Sequence, residues 1–412
     1  MTPGALIDAL RNAGPRVFIP GSSGEPHGLA EALYAAGDAL ARLELTTTFV
    51  PGINRLEVDR LDPSVVVSGL FMQPGLAQAQ REGRYRHLPM SYGAFQNAME
   101  TCVPFDAAIV QLSPPDDDGR CSLGPAAEFT PAVVARARRI IGVINPRVPA
   151  MKHAPGIARD ALAVCFETDG DLATYDPGAP DAAAQTIAEH VAALIPDGAA
   201  LQMGLGKTPA ALTACLKGRR GLRLHSGLFS DGALDLADAG ALDADWAHRA
   251  CVIAGSAAVY QRAKACGLIH VVDCGQTHAP SVLAGLEGLI AVNSALEVDL
   301  FGQCNLEVAG GRAVSGPGGA PDFARAARMS RGGLSIIALP AGNAERSRIV
   351  PVLSGGMASL ARTDIDVVVT EHGVADLRGR SVHERAERLI AVAHPSVRQD
   401  LADHWRSVAA KL

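Results

Sequence analysis

Aromatic side chains are scarce in this chain, with Phe, Trp and Tyr making up 4% of 412 residues. Its cores must therefore be assembled from Ala, Val, Leu and Ile, which suits closely packed α/β layers. There is no excess of basic charge: 37 Lys and Arg face 43 Asp and Glu, for a formal net charge of −6. That balance excludes the electrostatic footprint of a nucleic-acid or anionic-membrane binder. Long hydrophobic runs are missing as well. The most apolar stretches, SIIALPAG (335–342) and DIDVVVTE (364–371), are strand-sized and far short of a bilayer span. The start, MTPGALIDALRNAGPRVFIP, lacks a basic stretch followed by an uninterrupted apolar run, so no secretory signal is expected. The eight cysteines include no C-x-x-C pair and no metal-ligand spacing. They read as reduced thiols of a cytoplasmic protein, with no metal site expected.

What is present is ample apolar material, 48% of residues against 19% charged, which excludes a largely disordered chain. The length fits two or three domains of about 150 residues each. Helical and strand-like segments alternate. GALIDALRNAG reads as a helix, RVFIP as a strand and HGLAEALYAAGDALARL as one helix, followed by the short β-branched runs LTTTFV, PSVVVSGLF and AAIVQLSP. Residues 167–185 are rich in Asp, Pro and Gly and read as a linker. The alternation then restarts with AAAQTIAEHVAALI, AALQMGLG and PAALTACLKG. This pattern predicts an α/β protein of mostly parallel sheets, with domains at 1–180 and 181–412 and a ligand cleft at strand C-termini.

Several segments can carry chemistry. In LQMGLGKTPAALTACL a strand runs through Gly204 and Gly206 into a helix opened by Thr208 and Pro209. Free amides at that turn can bind an anion, although an ordinary strand-to-helix turn has the same pattern. In SGPGGAPDF, Gly318 and Gly319 leave amides with no side chain above them, able to approach a thioester carbonyl and stabilise an oxyanion. A plain surface loop is the alternative. The three aspartates of SPPDDDGRCSLG lack calcium-loop spacing and read as a solvated turn, and His225, His270 and His278 lack ligand spacing. Glu371, closing the run VVVTE, is either a buried carboxylate with a raised pKa or a salt-bridge residue.

Taken in order, GSSGEPHGL, SPPDDDGRCSLG, LQMGLGKTPAAL, LHSGLFSDGALDLADAG, AVNSALEVDLFGQCN, SGPGGAPDFARAA, SRIVP and VVTEHGVADLRGRS resemble the acetyl-CoA hydrolase/transferase family along nearly the whole chain. The family includes 4-hydroxybutyrate and succinyl-CoA:acetate CoA-transferases. The resemblance implies two open α/β domains of the CoA-transferase type with the active site between them, a homodimer, and no metal or redox cofactor. Coenzyme A enters as part of the substrate, and the partners implied are an acyl-CoA and a carboxylic-acid acceptor. In the family's reaction a glutamate attacks the thioester, forming an anhydride and then a glutamyl-CoA thioester. It further implies oxyanion donors at Gly318 and Gly319, a second active-site glutamate at Glu371, a polar pair at Gln303 and Asn305, and substrate or CoA contacts at Gly204, Gly206, His225 and Ser226.

The resemblance breaks at one position. Where the family carries its nucleophilic glutamate this chain reads Arg223-Leu224-His225-Ser226-Gly227-Leu228, and the FSDG that follows is intact. Gly227 has no atom that can form the anhydride. Three functions follow as expectations. The first is thioester chemistry without a glutamyl-CoA intermediate, by hydrolysis, decarboxylation or another reaction. A water in the space left by the missing side chain would attack, with Glu371, Glu25 or a histidine as base. The second is CoA transfer through a substitute carboxylate, Glu25, Asp231 or Glu371. The third is a silent acyl-CoA-binding subunit.

Overall fold

The computed structural model describes residues 3–102 and 104–412. The chain forms two compact units, the first made of Met1–Asp176, Gly227–Leu234 and Ala247–Ala279, the second of Pro177–Ser226, Asp235–Trp246 and Pro280–Leu412. The first unit is thus discontinuous in sequence, and Gly227 opens its second stretch.

The first unit is built on a seven-stranded sheet. Its strands are β1 (Arg16–Ile19), β2 (Glu44–Thr47), β3 (Val66–Gly69), β4 (Tyr85–His87), β5 (Ala107–Leu112), β6 (Ile140–Ile144) and β7 (Val164–Glu167). They lie in the order β4-β3-β2-β1-β5-β6-β7, and every neighbouring pair is parallel. β5 is buried along its whole length, as its continuous apolar run AAIVQL requires of a strand covered on both faces. The order reverses at β1, whose neighbours are β2 and β5. A reversal of this kind is where the loops leaving the C-terminal ends of neighbouring strands run to opposite sides of a parallel sheet. The few aromatic residues are concentrated in this unit. Phe95 and Tyr92 pack edge-on to Phe129 at centroid distances of 4.7 and 5.0 Å.

The second unit carries a six-stranded sheet of β8 (Ala200–Met203), β9 (Arg223–Leu224), β10 (Leu289–Asn293), β11 (Leu334–Ala338), β12 (Val367–Thr370) and β13 (Gly373–Asp376). The order is β9-β8-β10-β11-β12-β13, parallel except for the β12–β13 hairpin. Its switch point is at β8, between β9 and β10.

Local differences from the sequence reading have local causes. The segment read as one helix over HGLAEALYAAGDALARL ends at Ala36, because Gly37 takes φ +52° and the chain continues as a 3-10 turn, Gly37–Leu40. The run after Glu371 holds the extra strand β13 before the helix Val382–Val392. That helix starts on a capping box in which Ser381 and Glu384 satisfy each other's backbone amides. All eight cysteines are free thiols. Among the described residues no helix is long and apolar enough to cross a membrane.

Candidate active site

In the first unit the loop after β1 carries GSSGEP to the switch point. Only glycine fits at position 21, where a Cβ would lie 2.1 Å from the Thr48 carbonyl oxygen. Gly21 N donates to Thr48 Oγ1 at 2.8 Å, and Ser22, buried with φ +52°, donates its N–H to Asn54 Oδ1 at 2.6 Å. Asn54 Nδ2 in turn donates to Ser22 O and to Glu25 Oε2, both at 2.8 Å. Gln111 Nε2, from β5, donates to Glu25 O at 2.9 Å. Glu25 is therefore held in place on both sides of the switch point. Burial raises its carboxyl to about 7, against the opposing pull of the Asn54 hydrogen bond.

A second buried acid lies below this loop. Glu128 Oε2 accepts from Thr48 Oγ1 at 2.9 Å, and burial again raises the carboxyl to about 7. Its φ of +43° is a left-handed conformation that a non-glycine residue holds only when its surroundings enforce it. Nothing in the local sequence AEFTP marked this residue. A raised carboxyl binds its proton more tightly in the folded state. Stability from this group is therefore complete below about pH 4.5 and lost as pH climbs through about 7. Glu128→Gln removes that titration. Urea unfolding at pH 5 and pH 8 should show the wild type losing roughly 2–4 kcal/mol more than the variant across that interval.

Gly227 precedes the short strand Leu228–Phe229, which pairs in parallel with Val252–Ile253. Ser23 Oγ donates to Ile253 O at 2.7 Å, so the Glu25 loop packs on this same small β layer. Gly227 O accepts from Cys251 N at 3.1 Å. The space expected beside Gly227 is taken: an ideal Cβ there would lie 3.1 Å from both Cε1 and Nε2 of His278. The expectation of a water-sized gap is corrected accordingly. With no side chain at 227, the imidazole of His278 lies against the backbone there. His278 is 1% exposed, its Nδ1 is 2.8 Å from Thr277 Oγ1, and its ring centroid is 5.1 Å from that of Tyr92. Cys251 Sγ lies 3.7 Å from the same Nδ1 and 3.3 Å from Cys274 Sγ. Burial, with Cys251 alongside, pushes the Cys274 thiol well up. His278, read from the sequence as a scattered histidine, is the residue that meets Gly227.

Asp231, one of the substitute carboxylates considered, accepts from Ser256 N at 2.8 Å and Ser256 Oγ at 2.6 Å. Both of its oxygens are committed to fixing that turn.

The second unit gathers its expected residues along the C-terminal edge of its sheet. Gly204 and Gly206 follow β8 at the switch point, and Gly206, at φ +127°, caps the helix Lys207–Cys215. Beside them Gln202 and Asn293 exchange side-chain hydrogen bonds at 3.3 and 3.2 Å. His225 and Ser226 follow β9. The His225 ring sits edge-on to Phe323 at 6.3 Å, and Ser226 Oγ donates to Met203 O at 2.9 Å. Phe323 belongs to the first turn of the helix Ala320–Met329, whose N-cap is Gly319, preceded by buried Gly318 at φ +57°. The Gly318–Gly319 corner is therefore a helix N-terminus, where unpaired amides and the helix dipole favour negative charge.

Glu371 occupies the two-residue turn between β12 and β13, its Oε2 accepting from Ala341 N at 2.8 Å. The polar pair is used internally. Gln303 donates through Nε2 to Asp299 Oδ2 at 2.8 Å. Asn305 donates to Glu297 Oε1 and Val308 O and accepts from the amides of Glu307 and Val308. That set exhausts the hydrogen-bonding capacity of the Asn305 amide, which serves here to build a turn.

Residues 2–159 match the acetyl-CoA hydrolase/transferase N-terminal domain and residues 255–405 the acetyl-CoA hydrolase/transferase C-terminal domain. The 4-hydroxybutyrate coenzyme A transferase of Clostridium kluyveri is 30% identical over 401 residues, covering 95% of this chain and 94% of that protein. The crystal structure of RipA from Yersinia pestis aligns with a TM-score of 0.91 at 25% identity, over 99% of this chain and 97% of the other. The 4-hydroxybutyrate CoA-transferase from Porphyromonas gingivalis aligns at 0.78 with 27% identity, over 98% and 96% of the two chains.

Proposed function

Because the chain belongs to the acetyl-CoA hydrolase/transferase family, we propose that it is an enzyme that hydrolyses an acyl-CoA thioester directly, with no covalent link between enzyme and CoA. The observation that supports this reading is the imidazole edge of His278, 3.1 Å from the point where a Gly227 side chain would begin. A base stands where the family's chemistry calls for a nucleophile.

In the proposed step Thr277 Oγ1 accepts from Nδ1–H of His278, which leaves the Nε2 lone pair toward Gly227. On substrate binding the contact between His278 and Gly227 opens, and Nε2 takes a proton from a water admitted there as that water's oxygen bonds to the thioester carbon. The carbonyl π electrons move to oxygen, then return as the carbon–sulfur bond breaks. The proton on Nε2 passes to the departing thiolate, so one water and one thioester give one carboxylic acid and one CoA thiol. Glu25, poised near neutral, is positioned in the same unit to accept the acid's proton. In the second unit the helix N-terminus at Gly318–Gly319 favours negative charge. The eight free thiols support a reducing, cytoplasmic setting.

The test is a thiol-release assay with acetyl-CoA and a panel of short dicarboxyl-CoAs, run with and without free acetate. Free CoA thiol should appear at the same rate in both conditions, with no new thioester. Acetate-dependent formation of a second acyl-CoA would overturn direct hydrolysis in favour of transfer through a substitute carboxylate. CoA binding without any turnover would leave a silent subunit.

A further inference from the structure

Behind the face that His278 turns to Gly227 is a second arrangement that the proposed hydrolysis does not use. We propose that Cys251 Sγ, Cys274 Sγ and His278 Nδ1 form a binding site for one thiophilic divalent cation of the Zn2+ type. One ligand atom from each of the three residues lies within 4.8 Å of the other two, and the residues are 0%, 0% and 1% exposed. Tetrahedral zinc, with bonds of about 2.3 Å to sulfur and 2.0 Å to nitrogen, sets its ligand atoms about 3.8 Å apart for S···S and 3.5 Å for S···N. The corresponding separations here are 3.3 Å and 3.7 Å. To admit the ion the S···S edge opens by about half an ångström and the Cys274–His278 edge settles at about 3.5 Å.

The backbone already fixes the donors. Cys274 opens the helical turn Cys274–Thr277 and His278 closes it, a spacing of four that puts both side chains on one face. Cys274 N donates to Glu128 O at 2.8 Å. Cys251 is anchored at both ends, its N–H on Gly227 O and its carbonyl accepting from Ala127 N. Thr277 Oγ1 lies 2.7 Å from Cys251 Sγ. Once the ion replaces the proton at Nδ1, that hydroxyl can donate to the Cys251 thiolate. Two thiols lose their protons on binding, so two thiolates and a divalent cation make a neutral centre. Neutrality is what a buried site tolerates, and it disfavours a monovalent ion. The fourth position is left to water or another ligand.

Binding at Nδ1 fixes the other nitrogen as Nε2–H, a donor facing Gly227. The loaded protein would then lack its base. That consequence rests on the hydrolytic reading; the site itself does not.

The probe is Co2+, titrated into the full-length, chelator-treated protein under reducing, anaerobic conditions. The expected result is about one equivalent bound, with thiolate-to-cobalt charge-transfer absorption, strong tetrahedral visible bands bleached by Zn2+, and about two protons released per ion. Cys251→Ala and Cys274→Ser should lose the charge-transfer band. Cys121→Ser, which changes a buried cysteine outside the cluster, should keep it. A wild-type protein without the band, or a band that survives in both cluster variants, would overturn the site. In parallel, Zn2+ loading should slow thiol release at least tenfold. A bound ion with unchanged hydrolysis would uphold the site and refute His278 as the base.

Discussion

His278→Gln is expected to slow thiol release from acyl-CoA by about 10²–10⁴-fold, the usual worth of a positioned general base. Glutamine keeps polar atoms in the space between Thr277 and Gly227, and Tyr92, which loses the imidazole, keeps its edge-on contact with Phe129. The loss should fall on kcat with KM little changed, because the imidazole is assigned to the proton transfer and not to ground-state binding. Thr277→Val removes only the acceptor that sets the tautomer. A loss of about tenfold is expected for it, with the pH–rate profile displaced, since the hydroxyl acts through the imidazole. Full activity in a folded His278→Gln protein would dismiss the histidine and shift attention to Glu25.

The second large effect is a gain. Placing a carboxylate at the proposed nucleophile position by Gly227→Glu alone should fail, because the new Cβ meets the His278 ring at 3.1 Å. Overpacking of that kind costs about 1–3 kcal/mol, and the displaced ring would no longer serve as base. Combining Gly227→Glu with His278→Ala clears the ring and sets a carboxylate where the proposal puts the anhydride-forming group. The double variant should lose direct hydrolysis and acquire acetate-dependent formation of acetyl-CoA from another acyl-CoA. The gain over wild type should be at least about tenfold. If the single variant transfers as well as the double, His278 is not what occupies the nucleophile's space.

The parts of this site that the sequence made legible are those encoded locally. The apolar run VVVT followed by Glu371 places that carboxylate at a strand end, and Gly204 and Gly206 before a Thr-Pro helix start place their turn at the switch point of the second sheet. Alternation of strand and helix runs is enough to give parallel sheets in both units. The residues that escaped depend on contacts between distant segments. Nothing near Gly227 indicates that His278 will fill its side-chain space, and nothing near Cys274 indicates that Cys251 will face it. The spacing of Cys274 and His278 was a readable signal, since four residues on a helical turn bring two ligands to one face. The third donor, Cys251, comes from the bend between the strands His248–Ala250 and Val252–Ile253, far away in sequence. Glu128 is a further case: an acid between Ala127 and Phe129 shows its burial only once Thr48 and Gly21 have closed over it.

The absence of any covalent enzyme–CoA species is tested most directly by the mass of the intact protein. Samples quenched in acid at intervals after mixing with acyl-CoA, and a parallel set treated with borohydride, should carry the unmodified mass throughout turnover while free thiol accumulates. A CoA adduct that forms and decays at the rate of turnover, mapped to a carboxylate such as Glu25 or Glu371, would contradict direct attack by water.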